Sequence, residues 1–372
     1  MRTFGVEEEL LLVDQVSGEP LAVARQALGH HAEALPEPGP QLEAELQQEM
    51  LEAITSPHST LDGLAAEIVA ARALADREAR AAGARAVALA SSPLPVRPHV
   101  TPKARYHEMM ERFGLVARRS LVCGFHVHVS VTSPEEGVAV IDRMRSWLPS
   151  VLALSTNSPF FDSEDTGYSS YRTIAWSQWP CSGPSDIFGT IENYIEHEQR
   201  TLRTGVPMDA GMLYFDVRLS RNHPTVEVRV ADVCLDPADT AVIAGLVRAL
   251  VETAAREGAL GLPPNPVPAS SIRLASWRAA HSGVRGELVH PVTGSARPAA
   301  EVITALLEHI RPALDDIGDG PAVVAGVQRI LRRGTGADHQ RRAFRRTGRL
   351  AEVVADAVLA THAAQPRSPE PV

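Results

Sequence analysis

The sequence predicts an α+β fold in which helices pack mainly on one side of an antiparallel sheet. Four segments alternate apolar and polar side chains with the period of a β-strand: residues 3–13, 121–131, 213–220 and 225–233. The last two flank the short Arg221-Asn222-His223-Pro224 connection, which is typical of an antiparallel hairpin. The predicted helices cluster between strands, and nothing in this order requires the strands to run parallel to one another.

Capping residues and helical periodicity predict the helices. Ser133-Pro134-Glu135-Glu136 and Asp236-Pro237-Ala238-Asp239 each set a capping side chain before a proline in the first turn. Leu61, Leu64 and Ile68 recur at helical spacing. We expect helices over residues 61–83, 133–154, 185–204, 236–258, 298–317 and 341–363.

Composition limits the classes of protein that the chain can represent. With 36 Lys+Arg and 45 Asp+Glu the formal net charge is −9, which disfavours DNA or RNA as the main partner. Three cysteines are too few for a disulfide framework, and no apolar run approaches the roughly 20 residues that span a bilayer. The N-terminal residues lack the apolar core of a signal peptide. We therefore expect a cytoplasmic protein with no membrane or nucleic-acid partner.

The domain organisation is predicted to be simple. Proline- and glycine-rich stretches are short enough to be loops within one body. We expect one domain over residues 1–364 and a flexible, proline-rich C-terminal tail over residues 365–372.

The first strand carries two acids on one face. Glu7 and Glu9 share a face, whereas Glu8 lies on the other with Phe4 and Val6. Neighbouring carboxylates repel each other unless a positive charge lies between them, and Mg²⁺ prefers carboxylate oxygens. The alternative is a solvated edge strand with scattered acids.

The second strand, residues 121–131, has a continuous apolar face and a polar face that carries His126, His128 and Ser130. This pattern predicts the floor of a site. A His-x-His pair also suits zinc, although the surrounding glutamates favour a harder metal. The alternative is two partly exposed histidines that are simply hydrogen-bonded.

The hairpin strands add pairs of opposite charge. Asp216 shares a strand face with Arg218, and Glu227 shares one with Arg229. Each pair is either a surface ion pair of little value or a metal carboxylate beside a phosphate-binding guanidinium. No phosphate-binding loop is present, so a protein of this sequence that binds ATP must do so through metal ions and arginine on a sheet.

Several motifs together resemble one family. They are Gly5-Val6-Glu7-Glu8-Glu9, Cys123-Gly-Phe-His-Val-His-Val129, Asn157-Ser-Pro159, Asp165-Thr-Gly-Tyr-Ser-Ser-Tyr-Arg172, Thr225-Val-Glu-Val-Arg-Val-Ala-Asp232, and Trp277-Arg-Ala-Ala280 followed by Gly286-Glu-Leu288. The sequence resembles the carboxylate–amine ligase branch, or type 2, of the glutamate–cysteine ligase superfamily from about residue 3 to about residue 350.

The resemblance implies a fold like the catalytic part of glutamine synthetase, with an antiparallel sheet forming a funnel and helices outside. It implies a reaction in which ATP and Mg²⁺ activate a carboxylate as an acyl phosphate, which an amine then attacks. The partners implied are an amino acid carboxylate and an amine. Weak glutamate–cysteine ligase activity would give γ-glutamylcysteine, ADP and phosphate. The family also suggests a homodimer.

Site residues follow from the matching motifs. Glu7, Glu9 and Glu227 would be metal ligands, and Glu45 and Glu52 match further acidic positions that would also be metal ligands. The periodicity around Glu45 and Glu52 leaves open whether both reach the same cation. Arg229 would bind the transferred phosphate, and His126 and His128 would line the substrate and nucleotide side. Arg172 and Arg218 would be clamps for a carboxylate or for the phosphates of ATP.

Two other functions compete with the ligase. A zinc-dependent hydrolase using His126 and His128 would turn over without ATP. A catalytically silent ATP-binding sensor would bind ATP and form no ADP.

Overall fold

Seven strands form one antiparallel sheet in the computed structural model, which describes residues 1–32 and 39–363. The described residues contain eleven strands in all: β1 (Phe4–Asp14), β2 (Gln41–Ala44), β3 (Met50–Ile54), β4 (Ala84–Val87), β5 (Gly124–Ser130), β6 (Phe160–Phe161), β7 (Glu164–Asp165), β8 (Val217–Leu219), β9 (Thr225–Asp232), β10 (Glu287–Val289) and β11 (Ala296–Pro298). Their order across the main sheet is β2-β3-β1-β5-β9-β8, and β4 pairs with the second half of β1. β6 pairs with β7, and β10 with β11, in two small separate sheets.

The described residues also form fourteen α-helices. They are α1 (Ala24–Ala32), α2 (Leu61–Ala81), α3 (Ala104–Phe113), α4 (Leu115–Arg119), α5 (Pro134–Met144), α6 (Leu148–Ser155), α7 (Tyr171–Trp176), α8 (Ile191–Arg203), α9 (Pro237–Ala259), α10 (Ala269–Ser282), α11 (Ala299–Ile317), α12 (Gly320–Arg333), α13 (Gly336–Thr347) and α14 (Leu350–Thr361). α2, α5, α6 and α9 contact the strands directly, and α11 and α12 pack against α9. The apolar core therefore lies between the sheet and this helical layer.

The core side of β1 contains one charged residue. Phe4, Val6 and Leu10 are buried there, and Glu8 on the same face is also buried. Arg72 of α2 neutralises Glu8 by donating to both carboxylate oxygens at 2.6 and 2.9 Å. Because a buried charge is costly without a partner, this ion pair fixes α2 against the sheet.

Register places the polar side chains of neighbouring strands together. β1 pairs with β5 so that Glu7 lies opposite His126, and it pairs with β3 so that Glu9 lies opposite Glu52. β8 pairs with β9 so that Arg218 lies opposite Glu227. The predicted β8–β9 hairpin is confirmed.

Two predicted helices are interrupted. The helix expected over residues 133–154 ends at Met144, passes through a short 3₁₀ turn and resumes at Leu148, because Pro149 has no N–H to continue the first helix. The helix expected over residues 341–363 is two helices separated at Gly348, which has a φ of 65°. In both ranges the residues are helical as predicted, but the helix is interrupted.

Other boundaries also differ. The helix expected from residue 185 begins at Ile191, where Thr190 supplies the cap. The strand expected over residues 213–220 pairs only over Val217–Leu219. The predicted tail over residues 365–372 lies outside the described residues.

The predicted fold class is confirmed: an antiparallel sheet is combined with helices that mainly cover one face. Among the helices of the described residues, none has the length and apolar character needed to cross a membrane.

Candidate active site

The polar face of the sheet opens into a cleft of about 640 Å³. Alternate side chains of β3, β1, β5, β9 and β8 supply its floor, because they point away from the helix-covered face. Side chains of α3 and α7 contribute to its walls. Nine residues that sequence analysis selected line this cleft: Glu7, Glu9, Glu45, Glu52, Glu227, His126, His128, Arg218 and Arg229.

Glu7 lies between the two histidines of β5. His126 Nδ1 is 3.1 Å from one Glu7 oxygen, and His128 Nε2 is 3.2 Å from the other. Burial opposes ionisation of Glu7, but the contacts with His126 and His128 outweigh it and hold the pKa of Glu7 well below its usual range. Glu7 is therefore an anion held in a fixed orientation.

The pKa values of the two histidines shift in opposite directions. Burial and the nearby charge of Arg229 lower the pKa of His126. Burial also acts on His128, but its contact with Glu7 is stronger and raises the pKa of His128. His128 Nδ1 lies 2.9 Å from the hydroxyl of Thr225, which fixes the ring.

Glu227 is held between two arginines. Arg218 donates to both of its oxygens at 2.7 and 3.1 Å, and Arg229 also pairs with it. Burial opposes its ionisation, but Arg229 and Arg218 hold the pKa of Glu227 well below its usual range. The buried Nε of Arg229 has no hydrogen-bond partner among the described residues, which leaves one donor of this guanidinium unsatisfied.

Three glutamates form a separate acidic group that contains no histidine. Glu9, Glu45 and Glu52 each offer an oxygen within 4.8 Å of the others. Burial, and then the charge of Glu9, raises the pKa of Glu45 to about 7. Burial and the neighbouring acids also raise the pKa of Glu52. Such a group is stabilised by protons or by a cation.

The structure therefore separates the five predicted metal carboxylates into two groups. Glu7, His126 and Glu227 likewise offer ligand atoms within 4.8 Å of one another. β1 contributes one carboxylate to each group. Oxygen-rich sets of this kind suit a hard divalent cation such as Mg²⁺.

Arg172 lies elsewhere, and its prediction as a ligand clamp is not supported by its position. It does not line the cleft with the other predicted residues. Its guanidinium donates at 3.3 Å to the backbone carbonyls of Arg229 and Val230 and lies 3.9 Å from Asp232. The side chain packs over Gly124, where an added Cβ would be only 2.1 Å from Nη2. Arg172 thus braces β9 from outside the cleft.

Sequence analysis missed much of the cleft wall. Arg105 of α3 pairs with Asp209 through two contacts of 2.6 and 2.9 Å. Glu43, which lies opposite Glu52 in the sheet, also faces the cleft. Aromatic side chains complete the wall: Tyr106, Trp176, Trp179 and Tyr214. Of these residues, only Glu43 had a signal in the sequence, because it alternates with Glu45.

Comparisons with known proteins identify relatives along nearly the whole chain. A family model described as glutamate-cysteine ligase family 2 matches residues 3–356. A Paenarthrobacter aurescens (strain TC1) protein, provisionally named glutamate–cysteine ligase 2-1, is 52% identical over 369 residues, which are 97% of this chain and 95% of that protein. A Streptomyces coelicolor protein, provisionally named glutamate–cysteine ligase 2, is 51% identical over 366 residues, which are 98% of this chain and 100% of that protein.

A solved structure shares the fold. The crystal structure of glutamate–cysteine ligase from Francisella tularensis in complex with AMP gives a TM-score of 0.67 at 12% identity. The match covers 98% of this chain and 89% of that chain. At this identity the likeness concerns the fold alone.

Proposed function

The chain belongs to glutamate–cysteine ligase family 2, and from that membership we propose that its cleft forms an amide from the side-chain carboxylate of glutamate and the amine of cysteine, using ATP. Family membership makes the chain an enzyme that forms carbon–nitrogen bonds. The identities of the acid, the amine and the metal belong to the proposal. Weak activity with cysteine is compatible with another amine as the preferred acceptor.

One observation carries the proposal: Arg218 and Arg229 converge on Glu227 beside two acidic groups on one sheet face. Transfer of a phosphoryl group requires cations around the charge that spreads over its oxygens. The two arginines supply fixed positive charge, and the acidic groups fit Mg²⁺. This juxtaposition is what a ligase without a phosphate-binding loop requires.

The candidate metal ligands are Glu9, Glu45 and Glu52 in one group, and Glu7, His126 and Glu227 in the other. The raised pKa values of Glu45 and Glu52 support the first group, since these carboxylates repel each other without a cation. Bound Mg²⁺ would neutralise phosphate oxygens and orient the polyphosphate.

The proposed reaction has two steps. A carboxylate oxygen of the acid attacks the γ-phosphorus of ATP, the bond to the bridging oxygen breaks, and ADP leaves. Arg229 binds the transferred phosphoryl group, since its guanidinium lines the cleft and retains an unsatisfied donor. The amine nitrogen then attacks the carbonyl carbon of the acyl phosphate, loses a proton and displaces inorganic phosphate.

The two competing hypotheses do not fit. Family membership contradicts the zinc hydrolase, and only His126 of the two histidines joins a ligand group in the described residues. His128 is instead held between Glu7 and Thr225. Membership in a ligase family also argues against a silent sensor. The cytoplasmic location and the homodimer stay predictions.

The experiment is ADP release by the purified protein with ATP and Mg²⁺, using amino acids singly and in pairs. We expect ADP only when glutamate and an amine are both present, with cysteine among the active amines. ADP formed with cysteine alone or with no addition would contradict the proposal. ADP release with glutamate alone would indicate acyl phosphate hydrolysis and would leave the amine undefined.

A further inference from the structure

The tip of the β8–β9 hairpin lies at the edge of the cleft. Arg221, Asn222 and His223 are exposed and line the cleft. Backbone hydrogen bonds hold the tip: Ser220 N donates to Thr225 O at 2.9 Å, and Thr225 N donates to His223 O at 2.8 Å. The tip therefore presents three side chains with N–H donors from a defined backbone.

Arg221 differs from the other arginines of the cleft. Arg218 and Arg229 pair with Glu227, and Arg105 pairs with Asp209. Within the part of the chain that the structure describes, the side chain of Arg221 forms no ion pair or hydrogen bond. An uncompensated guanidinium at the edge of a substrate cleft is available to an anionic group of a ligand.

Arg221 and Arg229 are separated along the β8–β9 hairpin. Arg229 is four residues beyond Thr225 in β9, so at about 3.3 Å per residue their Cα atoms are about 13 Å apart. Arg221 lies beyond Thr225, on the far side of the hairpin turn. The ring of His223 contacts that of His128, with centroids 6.3 Å apart, and so connects the tip to the floor. The cleft thus has two separate positive positions.

From this arrangement we infer that Arg221, with Asn222 and His223, binds the remote carboxylate of a dicarboxylic acid substrate while its other carboxylate is phosphorylated near Arg229. The inference rests on the proposed function and deepens it. Arg229 acts on the reacting end of the acid, and Arg221 determines which acids are accepted. Bidentate recognition of a carboxylate by a guanidinium provides that selectivity.

The test compares L-glutamate with 4-aminobutyrate, which retains the reacting carboxylate and the amino group but lacks the remote carboxylate. We expect Arg221→Gln to raise the KM for glutamate by about 10- to 100-fold, the effect of losing a charge-assisted hydrogen bond. The KM for ATP, and the rate of ADP release that we measure with 4-aminobutyrate, should stay within about twofold of wild type. Arg345→Gln, which removes an exposed arginine remote from the cleft lining, is the matched control.

An unchanged KM for glutamate in Arg221→Gln would overturn the inference, because it would mean that Arg221 is only a solvated surface residue. A raised KM for ATP with an unchanged KM for glutamate would also overturn it, by assigning Arg221 to the triphosphate.

Failure of the proposed function looks different from failure of this inference. If the proposed function is wrong, wild-type protein releases no ADP with glutamate and any amine. Calorimetric titration of L-glutamate into both proteins with Mg²⁺ and a non-hydrolysable ATP analogue then decides about Arg221. Weaker binding to Arg221→Gln supports the inference, whereas equal binding, or none to wild type, overturns it.

Discussion

Arg218 and Glu227 face each other across the β8–β9 hairpin and form a bidentate ion pair with distances of 2.7 and 3.1 Å. Glu227 is almost completely buried and also contacts Arg229. The hairpin therefore fixes one carboxylate and two guanidinium groups by register alone, before any ligand binds. Pre-organised charges of this kind stabilise a transition state without reorganisation during the reaction.

Replacing Glu227 tests this arrangement. We expect Glu227→Gln to lower the rate of ADP formation by at least about 100-fold, because it removes a proposed metal ligand and the charge that orients both arginines. Circular dichroism should show that the variant folds. Glu164→Gln, in the exposed β7, is the control and should keep full activity. A wild-type rate in Glu227→Gln would remove Glu227 from the site.

Replacing Arg229 by lysine tests the geometry of the guanidinium rather than its charge. Lysine retains the positive charge but has no planar fork with which to bind a carboxylate and a phosphoryl group together. We expect Arg229→Lys to lower kcat by about 100-fold, measured as ADP release at saturating ATP. Retention of the wild-type kcat would show that only charge is required at this position.

The three-carboxylate group predicts a difference between two neighbouring glutamates. Glu52 belongs to the group with Glu9 and Glu45, whereas Glu43 lies opposite Glu52 outside it. We expect Glu52→Gln to weaken Mg²⁺ binding at least about tenfold in calorimetric titration, since a proposed direct ligand is lost. Glu43→Gln should change the Mg²⁺ affinity by much less. Equal losses in both variants would indicate diffuse attraction rather than a site.

The buried pair behind the sheet predicts an effect on stability alone. We expect Glu8→Gln to lower the free energy of unfolding by about 3–5 kcal/mol, because it leaves Arg72 buried without its anionic partner. Urea denaturation measures this change, and Glu196→Gln, in an exposed pair with Arg203, should cost less than about 1 kcal/mol. A loss below 1 kcal/mol for Glu8→Gln would contradict the structural role of the pair.

Arg2 and Glu136 predict a pH dependence of stability. The hydrogen bond from Arg2 lowers the pKa of Glu136 from 4.5 to about 2, although partial burial opposes it. A lowered folded-state pKa stabilises the protein above pH 4.5, and the contribution disappears as the pH falls towards 2. Wild type should therefore exceed Glu136→Gln in unfolding free energy at pH 6, with a smaller difference at pH 3. A difference that is independent of pH would exclude this contribution.

The floor of the cleft could be predicted because strand geometry determines it. Side chains of a strand alternate, so Glu7 with Glu9, and Glu227 with Arg229, share a face whatever the surrounding fold. The structure brings these four residues into one cleft.

Other parts of the site depend on contacts that the sequence does not show. Glu45 follows β2 in a non-repetitive turn, so no period indicates that it joins Glu52. Arg172 lies in α7, and its long side chain reaches the backbone carbonyls of β9, a contact between segments almost 60 residues apart that no local pattern shows. Arg105 and Asp209 meet although they are 104 residues apart.

The most direct test of the central claim follows one oxygen atom. In the proposed reaction the attacking carboxylate oxygen leaves with the phosphate. Glutamate labelled with ¹⁸O in its side-chain carboxylate should therefore give inorganic phosphate with one ¹⁸O atom for each amide formed, measured by mass spectrometry. Amide formation with unlabelled phosphate would contradict an acyl phosphate intermediate and the roles proposed for Glu227 and Arg229.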